Sequence, residues 1–109
     1  MAFSIKEFQD DVRELSQRLD TKTPEQRILY LISELGEVAD EMLELSKSGD
    51  SKDQEMIKKR LGMEIYDVIW NAVDLANQLN LDLEDAFIRK IAINKNRVWQ
   101  RSGELTDDK

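Results

Sequence analysis

The sequence predicts an all-α fold, a four-helix antiparallel bundle completed by oligomerisation. Three observations point there. The 109 residues hold one proline and four glycines, so few positions interrupt a helix. Leu, Glu, Lys, Ala and Ile are abundant, and no stretch alternates strictly between apolar and polar as a half-buried strand would. Apolar residues instead recur at helical spacing between short polar breaks, and short connections favour antiparallel neighbours.

The first helix starts at Ser4, which has capping-box spacing to Glu7, and runs to about Leu19. Ile5, Phe8, Val12, Leu15 and Leu19 form its apolar stripe. Thr23, Pro24 and Gln26 give the second helix its start: a cap, a residue suited to the first helical position, and the third member of a capping box. It reaches about Ser46, before Ser48-Gly49-Asp50-Ser51 breaks it. The third helix spans about Asp53 to Leu79, and Asp82 caps the fourth, which continues to about Arg101. Residues 1–101 therefore read as one helical domain, and 102–109, SGELTDDK, as a flexible tail.

Composition removes several functions. Without cysteine or histidine there is no thiol chemistry, no imidazole metal site and no Glu-x-x-His di-iron centre, so any metal is held by oxygen. The longest apolar run is five residues, Ile28 to Ile32, far short of the roughly 20 that span a bilayer. The start, MAFSIKEFQDD, has no signal-peptide pattern, which predicts a cytoplasmic protein with no membrane partner. Sixteen basic against 23 acidic residues, a net charge of -7, argue against nucleic acid as a partner.

The third helix carries the most information. Its apolar residues cover most of the circumference and leave one narrow polar stripe: Glu64, Asp67, Asn71, Asp74 and Gln78, led in by Arg60. A helix apolar nearly all round is buried on most sides, more than one thin bundle can manage, which predicts oligomerisation. Carboxylates facing an internal cleft repel one another unless a cation compensates. On the second helix Glu34, Glu37 and Glu41 fall on one side. Glu34 and Glu37 with Glu64 and Asp67 make an all-oxygen set suited to Mg²⁺, with Mn²⁺ as a substitute. On the fourth helix Lys90, Asn94 and Arg97 share a face, and cations beside a carboxylate-bound metal suit a polyphosphate. Taken singly, the Glu34 and Lys90 rows read as solvated faces; their joint occurrence carries the inference.

These residues resemble a known pattern. Ser33-Glu34-Leu35-Gly36-Glu37, then 26 intervening residues, then Glu64-Ile65-Tyr66-Asp67 resembles the ExxE…ExxD signature of the MazG-like all-α nucleotide pyrophosphohydrolases. That superfamily includes dimeric dUTPases, dCTP pyrophosphatases and phosphoribosyl-ATP pyrophosphatase. The segment from Lys90 to Arg97 resembles its KxxxNxxR element. The resemblance implies cleavage of a nucleoside triphosphate between the α and β phosphates, in a dimer or tetramer. It implies that Glu34, Glu37, Glu64 and Asp67 bind Mg²⁺, and that Lys90, Asn94 and Arg97 contact phosphate or sugar. Glu34 and Glu41 are the candidates to take the proton of the attacking water, and Asn71 and Asp74, further along the stripe, are candidates to read the sugar or base. Many members begin the first motif with paired glutamates; here the first of the pair is Ser33. Two other functions fit the same residues: phosphoribosyl-ATP pyrophosphatase, and a non-catalytic helical oligomer that binds a nucleotide or a protein.

Overall fold

The structure, a computed structural model, describes residues 3–19 and 22–107, and the side chains of the described residues up to 100. Among them it is all-helical: α1 (Ile5–Gln17), α2 (Pro24–Lys47), α3 (Ser51–Gln78) and α4 (Leu83–Asp107). The start signals act as predicted. The Ser4 hydroxyl accepts from the Glu7 amide at 3.1 Å. Thr23 and Gln26 form a reciprocal capping box, in which the Gln26 amide donates to Thr23 Oγ1 and the Thr23 amide to Gln26 Oε1. Helix α3 begins slightly earlier than expected because Asp50 caps it, accepting from the Lys52 amide at 2.9 Å.

The predicted end of the fourth helix needs correction. Its backbone stays helical past Arg101 to Asp107. The only breaker there, Gly103, costs about 1 kcal/mol relative to alanine, and no proline follows to stop the helix. Of the predicted tail 102–109, positions 108 and 109 lie outside the described residues.

Helices α2 and α3 form an antiparallel hairpin, with cross-links running from Arg27–Asp74 at one end to Glu41–Arg60 at the other. Helix α1 lies against α3 through Phe8, Val12 and Val73, with Ile5, Trp70 and Leu83 packed around them. The turn between α3 and α4 is fixed by a Schellman closure: Asn80 takes a left-handed φ of 56°, while the Leu81 amide donates to Ala76 O and the Asn80 amide to Asn77 O. Gln9, buried on α1, holds that turn from the side. Its Nε2 donates to Leu81 O at 2.6 Å, and its Oε1 accepts from the Leu83 amide.

As a result α4 packs against α1 and projects from the hairpin, with Ile88, Val98 and Trp99 at 62%, 65% and 78% exposure. The apolar sides of α2 and α3 are also open at Leu29, Ile32, Leu35, Met63, Tyr66 and Ile69. The chain exposes 8720 Å², where a compact monomer of this size exposes about 6,200 Å². Its radius of gyration is 18.3 Å, against about 13 Å for a compact chain of this length. No described helix is long and apolar enough to cross a membrane.

Candidate metal centre

The polar stripe of α3 faces α2 along its length, and each of its residues meets a particular neighbour. Arg60 donates to both carboxylate oxygens of Glu41, at 3.2 and 3.3 Å, and to Glu44 at 3.0 Å. One turn on, Glu64 meets Glu37 and Glu34; one carboxylate oxygen from each of the three lies within 4.8 Å of the others. Asp67 adds its charge to both Glu34 and Glu64. Beyond it, Asn71 and Asp74 close on Arg27, and Gln78 Nε2 donates to Lys22 O.

Glu34 and Glu64 are strained electrostatically. Burial pushes the Glu34 carboxyl above its ordinary value, helped by the charge and hydrogen bond of Glu37 and by the charge of Asp67. Glu64 is pushed up to about 7, first by its hydrogen bond with Glu37, then by burial and the charges of Glu37, Asp67 and Glu34. Glu34 Oε2 and Glu64 Oε2 are both buried without a hydrogen-bond donor. Buried acceptors left without partners are costly and rare. A donor set of clustered carboxylate oxygens with two unpartnered acceptors fits a hard divalent cation. Glu37 stands at the exposed mouth of the cluster, so the site opens to solvent.

A family comparison agrees with this geometry. The MazG nucleotide pyrophosphohydrolase domain matches residues 22–99, which includes the whole α2/α3 hairpin and the fourth helix as far as Trp99. The chain belongs to the MazG nucleotide pyrophosphohydrolase family. Comparison of this MazG domain with curated proteins and with solved structures returned no significant match.

The structure brings some of the predicted site residues together and separates others. Glu34, Glu37 and Glu64 meet, with Asp67 beside them. Glu41, expected as a candidate proton acceptor, is engaged by Arg60, whose guanidinium occupies both of its oxygens. Asn71 and Asp74, expected to read the sugar or base, are buried and engaged by Arg27. Arg27 Nη1 donates to Asn71 Oδ1 at 2.6 Å, and Arg27 Nε lies 2.8 Å from Asp74 Oδ2. Lys90, Asn94 and Arg97 are exposed on α4, which leaves with α1 rather than closing over the hairpin. The cationic row is therefore not part of the acidic cluster within one chain.

Arg27 is the residue that sequence reasoning missed. It is 6% exposed, although it follows the polar first turn of α2. The available signal was its spacing, because Arg27, Leu31, Glu34 and Val38 lie on one side of the helix. A lone cation in that row calls for an acid on the facing helix, and Asp74 is the acid at the matching end of α3.

Proposed function

We propose that this MazG domain hydrolyses a nucleoside triphosphate at the α–β phosphoanhydride bond, giving the monophosphate and pyrophosphate. The observation that carries this reading is the meeting of Glu34, Glu37 and Glu64 with two buried oxygens lacking donors. Those three residues would hold Mg²⁺, or Mn²⁺ in its place, with Asp67 completing the acidic wall. When bound, the cation supplies positive charge to the phosphate oxygens and acidifies water. Glu34 is the better placed of the two candidate bases, since Glu41 is held by Arg60.

The same reading assigns α4 to a second copy of the chain. Phe87, Ile88, Ile91, Val98 and Trp99 are open to solvent on it, as are Leu35, Tyr66 and Ile69 on the hairpin. Patches of that extent mark an association surface. We infer a homodimer or homotetramer, in which Lys90, Asn94 and Arg97 reach the triphosphate once the copies assemble.

The test is product analysis. The protein is incubated with each common NTP and dNTP and Mg²⁺, beside Glu64→Gln as a control. Pyrophosphate with the matching monophosphate, absent in the variant, is expected. Orthophosphate with a diphosphate would contradict the proposed bond, and equal turnover by the variant would contradict the proposed site.

A further inference from the structure

We infer that Arg27 is a positioning residue for the acidic centre: by tying α2 to α3 at Asp74 and Asn71, it holds the register in which Glu34 and Glu37 meet Glu64. This inference rests on the metal-binding reading of that centre.

The need for such a device follows from charge. Carboxylates gathered within 4.8 Å push their helices apart, and apolar packing on either side does little to set register. Sliding one helix by a single turn, about 5.4 Å, would exchange one leucine or valine contact for another yet separate Glu37 from Glu64. Cross-links with fixed geometry resist that slip. Two flank the cluster. On one side is Arg60 with Glu41 and Glu44, where the Arg60 side chain is half-exposed and the contact is screened by solvent.

On the other side is the Arg27 network, which is enclosed. Asp74 is 1% exposed and Asn71 is buried. The Arg27 guanidinium lies over the rings of Trp70, at 5.4 Å, and Tyr30, at 5.9 Å. Its guanidinium meets two partners at once: Nη1 donates to Asn71 Oδ1, and Nε lies 2.8 Å from Asp74 Oδ2 as an ion pair without hydrogen-bond alignment, a planar reach that a lysine cannot reproduce. Asn71 carries the tie onward, since its Nδ2 donates to Asp67 O at 2.7 Å. Arg27 thus reaches, through one side chain, the turn of α3 that presents Asp67. Buried ion pairs add little net stability compared with an apolar pair of the same volume, and their best-attested use is to specify register.

The test measures Mn²⁺ binding to the full chain, by calorimetry or by loss of the free-ion electron paramagnetic resonance signal. Thermal melts of the same samples are followed by circular dichroism. Arg27→Met/Asp74→Leu removes both charges together and is expected to keep helicity and a cooperative melt, at a lower temperature because Asn71 Oδ1 loses its donor, while Mn²⁺ affinity at 25 °C falls about tenfold or more. Arg27→Lys, which keeps one charge contact and gives up the planar reach, is expected to lose affinity to an intermediate degree. If the double variant does not fold, Arg27→Lys decides. Unchanged Mn²⁺ affinity in a folded double variant, or in Arg27→Lys when it decides, would reduce the network to ordinary structural support and overturn the inference. Wild-type protein that binds no Mn²⁺, or Glu64→Gln that binds as tightly as wild type, would instead overturn the metal reading and this inference with it.

Discussion

Glu64 is the residue whose ionisation most directly reports on the centre. In the folded chain its carboxyl is pushed up to about 7 from an ordinary 4.5, so the folded state binds this proton more tightly than the unfolded state. The stabilisation from that proton is fully present below pH 4.5 and is lost as pH rises through about 7. The metal-free protein is therefore expected to melt at progressively lower temperature between those limits, and Glu64→Gln, which has no proton to lose, to flatten the slope. Thermal melts across pH with chelator present would check this. Divalent cation displaces the same proton, so its affinity is expected to rise over the same interval. The meeting of the glutamates was legible in the sequence, because Glu64 stands in a narrow polar stripe on α3 and the Glu34 and Glu37 row on α2, which alone reads as a solvated face, gains meaning beside it. The duty of Asn71 and Asp74 was not, because a polar residue on an inner stripe reads alike whether it faces a ligand or a buried arginine.

At the scale of the element, local chemistry was read well and long-range packing was not. Ser4, Thr23 and Asp82 act on residues three positions away, so their caps are visible in a short window. The direction in which α4 leaves is set by contacts across the chain: Gln9 meets Leu81 and Leu83 more than seventy positions downstream. Nothing in the spacing of Lys90, Asn94 and Arg97 reports that. The turn itself makes a sharp prediction, since Asn80 sits at a left-handed φ of 56° that β-carbon-bearing residues other than Asn and Asp adopt poorly. Asn80→Ala is expected to cost about 1 kcal/mol in urea unfolding, whereas Asn80→Gly should be nearly neutral. Equal effects of the two would show that the conformation is not what Asn80 supplies.

For the whole molecule, the decisive feature is how much apolar surface one chain leaves open. The all-round apolar pattern of α3 pointed to a helix covered on most sides, yet Met63, Tyr66 and Ile69 are exposed in the single chain. The all-helical fold was thus legible, and the arrangement of the proposed assembly was not, because one sequence holds no intermolecular distances. Sedimentation is expected to give two or four times the chain mass. Trp99→Glu, which places a charge on the open face of α4, is expected to shift that value downward and to reduce nucleotide turnover together with it. A monomeric wild-type protein with full turnover would contradict the assembly.

The acidic cluster between α2 and α3 remains the feature on which the functional reading depends. A crystal structure grown with Mn²⁺ and examined by anomalous scattering tests it most directly. The expected result is a peak about 2.0 to 2.3 Å from carboxylate oxygens of Glu34, Glu37 and Glu64. Bound Mn²⁺ elsewhere on the chain, with Glu34 Oε2 and Glu64 Oε2 still unpartnered, would contradict it.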